Sequence, residues 1–360
     1  MAIKVTQPEI NLRKTLKDLD KPSGTAGQAM LRAETVAEQQ ALIGVGRRNL
    51  ILNGDFRVSQ RGDYTSATST THDQLYVDRW VVRLTNVTAN ILHILGTNSA
   101  PGYPYKDSNS LRLTATNSAT GVMRHLQRVE GFLSGRTLTV SAWVKSNSPN
   151  ARVFSYQHNG GTRVSSKPHS GSGEWEYLTL TTVNDANSAN QLYFDIALAT
   201  ETFTDIAITS GEYVEISEVQ MEVGNVATPF EYRSYGEELA LCQRYYYQLG
   251  GVGGVAADTS LSSGSMYTAT AVNLYVPFPV PMRSGPGISK TVNGTGNWLN
   301  LYVGSTGTVG NPTPQVGDNG TDSARVYIPS AHSGNSPSAA GAGVWAILPS
   351  GASLNFSAEL

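Results

Sequence analysis

Leu138, Val140, Ala142 and Val144 alternate with Thr139, Ser141, Trp143 and Lys145. Successive side chains of a β-strand point to opposite faces, so this run can bury only one of them. A helix would scatter the same residues around its circumference. Gln191–Leu198 repeats the pattern, with Leu192, Phe194, Ile196 and Leu198 on one side. Comparable runs follow along residues 49–233: Leu50–Asn53, Trp80–Leu84, Ile91–Leu95, Ser110–Thr116, Arg152–Gln157, Glu176–Thr182 and Tyr213–Val223. Turns rich in Gly, Asn and Ser separate them, with no helical pattern between. Consecutive strands with one buried face each predict an antiparallel jelly-roll sandwich.

With 360 residues there is too much chain for one ordinary core, so more than this sandwich is expected. Charged residues make up only 15%, and Tyr outnumbers Phe by 17 to 8, the usage of short strands joined by polar turns. Residues 234–250 break the alternation. Glu237 to Arg244 predicts a connecting helix with acids at its N-terminal end, where the helix dipole favours them, and Leu241 and Tyr245 on one face. Residues 251–360 predict a smaller β domain, with strands at Met266–Pro277, Trp298–Val303, Ala324–Ile328, Gly343–Leu348 and Leu354–Ser357. Its stretches 304–323 and 330–342 read as long loops, which are common interaction surfaces. Residues 1–48 differ from all of this. Leu12, Leu16 and Leu19 form one stripe on a short helix, and Thr35 with Glu38 makes a capping box for a second helix that carries Leu42. Helices this short bury too little surface to stand alone, so these leucines are expected to pack on a partner chain or a neighbouring copy, the alternative being a flexible tail. The fold class is therefore mainly β, with a short helical or extended N-terminal anchor.

Several function classes find no support. A net charge of −2 gives no electrostatic reason to bind nucleic acid or an anionic membrane. The single cysteine, Cys242, permits no intramolecular disulfide and no cysteine zinc site, and reads as a small buried apolar side chain. The opening Met-Ala-Ile-Lys-Val-Thr-Gln-Pro has no apolar signal core, and no stretch is long enough to span a bilayer, so synthesis and folding in a cytoplasm are expected. No histidine pair has metal-ligand spacing and no G-x-S-x-G elbow occurs. Glu174 and Glu176 share one strand face and read as solvated. The expectation is a protein that is not an enzyme and has no cofactor. Gly250-Gly251-Val252-Gly253-Gly254 lacks the Lys-Ser/Thr of a phosphate loop and reads as a linker.

Several local signatures carry a family resemblance. Residues 47–62, Arg-Arg-Asn-Leu-Ile-Leu-Asn-Gly-Asp-Phe-Arg-Val-Ser-Gln-Arg-Gly, resemble the domain opening of tailed-bacteriophage virion structural proteins of the tail-fibre and head-fibre type. Val77-Asp78-Arg79-Trp80 is similar to their following motif. Residues 216–233 resemble the closing strand, Glu238–Tyr246 the helix after it, and Ser357-Ala358-Glu359-Leu360 the chain end. Gly27 to Gly44 looks like the helical element that precedes fibre domains. The resemblance implies a virion protein on the tail or capsid surface, made in the host cytoplasm. A tail fibre or tail adaptor is the leading assignment, with a head fibre or decoration protein, a glycan-binding receptor protein and a polysaccharide depolymerase as alternatives. Residues 1–48 would hold other phage structural proteins, a homo-oligomer is expected with a trimer first, and a host-surface glycan is a candidate partner. The central domain also resembles carbohydrate-binding modules in architecture.

Candidate binding residues follow from parity. Trp143 lies opposite an apolar row, as does Tyr193, with Asp195 two positions on. Tyr156 and Trp175 could join them, their flat rings stacking on sugar faces and a carboxylate orienting hydroxyls. The competing reading packs these aromatics under a loop or between subunits. Jelly-roll sugar modules commonly hold a structural calcium near their first and last strands, which nominates Asp55, Glu218 and Glu222. Calcium takes six to eight oxygens, however, and Asn53-Gly54-Asp55 also reads as a plain turn.

Overall fold

A computed structural model of the chain describes residues 48–96, 109–130, 135–157, 163–184, 192–250, 258–303, 306–329 and 341–359, with the backbone alone at 156–157, 306–309 and 319. Leu12, Leu16, Leu19 and Leu42 and the attachment role given to residues 1–48 lie outside these, as does most of 330–342. Leu50–Leu360 forms one unit, which holds every element below.

The strands run in chain order as β1 (Thr68–Thr70), β2 (Gln74–Leu75), β3 (Val81–Thr85), β4 (Ala89–Ile94), β5 (Ser110–Ala115), β6 (Ala119–Val129), β7 (Thr137–Ser146), β8 (Ala151–Gln157), β9 (Val164–Ser165), β10 (Trp175–Val183), β11 (Leu192–Leu198), β12 (Ile206–Ile208) and β13 (Tyr213–Val223). They form two facing antiparallel sheets, β1-β4-β5-β13-β7-β10 and β2-β3-β6-β11-β8-β9, with β12 on β6. Leu138, Val140, Ala142 and Val144 of β7 meet Leu192, Phe194, Ile196 and Leu198 of β11 in one core, around the buried Trp80. The alternation in the sequence is thus the inner and outer face of each sheet.

Two stretches of the sandwich depart from the sequence reading for a shared reason. β6 is eleven residues long and carries no visible alternation. Its inward row includes His125 and Gln127, both fully buried. Gln127 explains the second departure, because Leu50–Asn53 is not a strand. Gln127 donates through Nε2 to the Leu52 carbonyl and accepts from the Leu52 N–H, both at 2.8 Å. The Leu50 N–H donates to the Met221 carbonyl at 2.8 Å. Side chains and single backbone contacts so satisfy a segment that a ladder would otherwise have to pair.

After the sandwich comes α1 (Tyr235–Gln243), capped by Ser234, whose side chain accepts from the Glu237 N–H at 3.3 Å. Then follow β14 (Tyr246–Gly250), β15 (Thr259–Met266), β16 (Val272–Pro277), β17 (Gly287–Thr291), β18 (Leu299–Val303), β19 (Thr306–Gly310), β20 (Gln315–Asn319), β21 (Ser323–Ile328), β22 (Gly343–Leu348) and β23 (Ser353–Ser357). They form the sheets β14-β23-β17 and β19-β18-β22-β15-β16-β21-β20 around a second core with Trp298, Leu301 and Phe356. Met266–Pro277, read as one strand, is a hairpin. Thr268 Oγ1 accepts from the N–H groups of Thr270 and Ala271, making a turn without Gly or Pro to signal it. The supposed loop 304–323 contains β19 and β20.

Asn53 ties these parts together. It is fully buried with a left-handed φ of 54°, which Asn tolerates. Its Oδ1 accepts from the Val58 N–H at 3.0 Å, and its Nδ2 donates to the carbonyls of Val58 and Asp78 at 2.7 and 3.0 Å. Its own carbonyl accepts from Trp80 Nε1 at 2.9 Å, and its N–H donates to Glu238 of α1. Beside it, a Cβ on Gly54 would collide with the Val219 carbonyl oxygen. Replacing Asn53 by Ala strands several buried backbone groups, each worth roughly 1–3 kcal/mol. Urea unfolding of Asn53→Ala should show a loss of about 3 kcal/mol or more; a loss under about 1 kcal/mol would reject this role.

Candidate functional site

The five aromatic and acidic candidates do not share a surface. Trp143 and Trp175 lie on the outer face of the β1-β4-β5-β13-β7-β10 sheet. Tyr193 and Asp195 of β11 lie on the outer face of the opposite sheet, and the Tyr156 backbone of β8 pairs with Tyr193. The sandwich core separates the two sets, so they cannot form one site.

On the first face, register pairs Trp143 of β7 with Tyr177 of β10, and Lys145 with Trp175. The Trp143 and Tyr177 rings pack with centroids 5.1 Å apart at 51°. Tyr177 is 42% exposed and β10 is the edge strand, so the pair opens to solvent along one side. The sequence alone does not single out Tyr177, because its partnership with Trp143 depends on register between strands far apart in sequence. Burial pushes the Tyr177 hydroxyl pKa up, and the carboxylates of Glu222 and Glu218 add to this, while a hydrogen bond with Ser141 opposes it. Along the sheet, Arg112 Nη2 donates to Glu215 at 2.5 Å and lies over the Tyr213 ring at 4.5 Å. Flat rings flanked by Lys145, Ser141 and Arg112 can stack on the apolar face of a pyranose and bond its hydroxyls.

The second face is built differently. Arg83, Arg124, Ala197 and Arg152 make one cross-strand row, and Val81, Leu126, Asp195 and Phe154 make the next. Asp195 is fully buried and accepts from Arg124 at 2.9 Å. Burial raises its pKa, against the pull of Arg124 and Arg163. Its charge serves the arginines. Tyr193 is 3% exposed, packed with Val81 and Leu126, and Arg128 lies over its ring at 5.5 Å. Neither side chain is presented for sugar stacking. The Tyr156 side chain lies outside the described residues.

The calcium candidates do not converge. Glu222 accepts from the Thr228 N–H at 2.8 Å, Thr228 Oγ1 at 2.7 Å and Gln220 Nε2 at 3.0 Å. Asp55 is ion-paired with Arg57. Glu218 sits at the β13 irregularity with φ 48°, and burial pushes its pKa up to about 7, the nearby Asp55 adding to the shift. Among the described residues no group of three or more His, Cys, Asp or Glu side chains is placed to hold a metal ion.

Residues 60–61, 78–79 and 245–246 of the motifs meet Glu359 at the seam between the two β cores. Arg79 is 3% exposed, pairs with Glu359 near the chain end, donates to the Arg128 carbonyl at 2.7 Å and lies over the Tyr245 ring at 3.6 Å. Arg61 donates to Glu359 at 3.1 Å and lies over Tyr246 at 3.6 Å. Gln60 Nε2 bridges Asp78 and the Tyr246 carbonyl at 2.7 and 2.9 Å. Asp78 is almost fully buried, and burial lifts its carboxyl to about 6 against Arg61 and Gln60. A cavity of about 150 Å³ opens beside this seam, lined by Asp73, Leu75, Arg79, Val81, Arg128 and Glu359.

No protein-family model matches the sequence, and no curated protein matches it. Solved structures give remote likenesses. The enzymatically active domain of bacteriophage CBA120 tailspike protein 4 matches at TM-score 0.33 and 13% identity, over 49% of this chain and 21% of that one. The chain thus spans about a fifth of the tailspike it matches. A cyclase from Fischerella sp. TAU matches at 0.34 and 15%, over 51% of this chain and 100% of its own. The module TmCBM61, solved with β-1,4-galactotriose, matches at 0.29 and 10%, over 49% and 100%. Likeness at this level carries no argument about activity or ligand.

The raised Glu218 pKa has a pH consequence. The folded state holds this proton more tightly than the unfolded chain, so the contribution is present below about pH 4.5 and lost as pH rises through about 7. Its size is on the order of 3 kcal/mol at most. Urea midpoints measured from pH 4.5 to 7.5 should fall more for the wild type than for Glu218→Gln; parallel profiles would contradict the assignment.

Proposed function

We propose that this chain is a bacteriophage virion structural protein of the tail-fibre type, whose central sandwich adheres to host-surface glycan through Trp143, Tyr177 and Trp175. The observation that carries the adhesive half is the solvent-facing Trp143–Tyr177 pair on an edge of the sheet, beside Lys145. The virion half is supported by the signatures at residues 47–62, 77–80, 216–233 and 238–246, which follow one another in the order of fibre proteins. In this reading residues 1–48 attach to the particle, a homotrimer presents the β domains outward, and the work is adhesion without bond cleavage.

Full-length protein applied to a panel of bacterial surface polysaccharides should bind at least one of them. Trp143→Ala and Tyr177→Ala should each weaken that binding about tenfold or more, the effect of losing about 1.4 kcal/mol of contact. Unchanged affinity in both variants would remove the site. Antibody labelling of purified particles should mark their surface, and unlabelled particles would remove the virion assignment. Release of reducing sugar would replace adhesion by cleavage.

A further inference from the structure

The C-terminal sheet β19-β18-β22-β15-β16-β21-β20 buries one face in the second core. Its outer face is unusual for what it exposes. Tyr302 of β18 pairs with Trp345 of β22, which pairs with Ser263 of β15. Tyr275 of β16 pairs with Arg325 of β21, which pairs with Asp318 of β20. Trp345 is 56% exposed, Tyr275 60% and Tyr302 39%. Rings grouped on one sheet face in this way mark an interaction surface.

The surroundings of the rings identify the occupant. Between Trp345 and Tyr275 the exposed side chains are small and polar, Ser263 and Ser265, with Asn273 beside them. Arg325 Nε donates to Asp318 at 2.6 Å and Nη1 to Asn273 Oδ1 at 3.2 Å, which fixes the guanidinium on the sheet. Gly317 makes room for it, since a Cβ there would lie 2.7 Å from Arg325 Cζ. These groups border a groove of about 450 Å³ lined by Ser265, Asn273, Tyr275, Asp318, Ser323 and Arg325. The Arg325–Asp318 pair leaves the groove without net charge. The core of a protein interface is depleted of charged side chains, whereas Arg325 and Asp318 stand inside this groove. Here Arg325, Asp318 and Asn273 are fixed donors and acceptors beside Tyr275, and Ser263 lies between it and Trp345, an arrangement that binds a hydroxylated ring with one apolar face. Trp345 and Tyr275 have β15 between them, a separation of roughly 10 Å across two strand spacings. That spacing suits two positions along one extended chain.

We infer that this face is a second glycan-binding surface, independent of Trp143, which takes an extended neutral saccharide stacked on Trp345 and Tyr275 and bonded in the groove beside Tyr275. The test uses the full-length chain with Trp345→Ala, Tyr275→Ala and Trp143→Ala, on an array of neutral bacterial surface polysaccharides and β-linked gluco- and galacto-oligosaccharides. Trp345→Ala and Tyr275→Ala should each weaken binding of a neutral glycan at least tenfold, with the thermal midpoint and sedimentation coefficient unchanged. If Trp143→Ala alone weakens binding, this inference fails while the central site stands. If the C-terminal variants alone weaken it, the central site fails. A fall in sedimentation coefficient would assign the face to contact between copies and overturn the inference, as would an array on which no neutral glycan binds.

Discussion

Arg79 is a buried cation held by three partners. Glu359 neutralises it, the Arg128 carbonyl accepts from it, and the Tyr245 ring lies under it. Such a charge is tolerated only because the partners are present together, and removing one would leave the rest uncompensated. Those partners come from the sandwich, from the segment after α1 and from the last residues of the chain. Asn53 works beside it as the neutral counterpart, fastening the first turn to Trp80 and to Glu238. Residues of the segments 50–62, 77–80, 238–246 and 357–359 are therefore adjacent in space. Their shared task is to join two β cores, which explains why these polar and aromatic residues are buried.

A rigid seam leaves the outer sheet faces free for other work, and those faces divide by chemistry. The β2-β3-β6-β11-β8-β9 face is occupied by arginines around Asp195 and by rings already covered. The face carrying Trp143 and Tyr177 and the C-terminal face carrying Trp345 and Tyr275 keep rings open to solvent beside fixed polar groups. Adhesion at two such faces on one body would gain from effective concentration, so that modest contacts combine into firm attachment.

The sandwich is legible in the sequence because its inner rows are uniformly apolar. β6 is not, because His125 and Gln127 point inward. Burial pushes His125 down to about 4, so it sits in the core as a neutral group facing the Val214 carbonyl at 3.4 Å. Gln127 replaces a strand pairing with side-chain hydrogen bonds. Parity places Trp143 and Tyr193 correctly on outer faces, yet cannot say that the faces belong to different sheets, because sheet order is set by pairings distant in sequence. Tyr177 escapes notice for the same reason. Trp345 and Tyr275 sit in a sheet whose hairpin turn at Thr268 carries no glycine, so its strands are miscounted from sequence and their outer face stays hidden.

Calorimetry of Arg79→Ala beside the wild type tests the seam most directly. If the buried cation couples the two cores, the wild type melts in one cooperative transition and Arg79→Ala separates it into two, the second core melting apart from the sandwich. Two well-separated transitions already in the wild type, or a single unshifted transition in Arg79→Ala, would contradict the account.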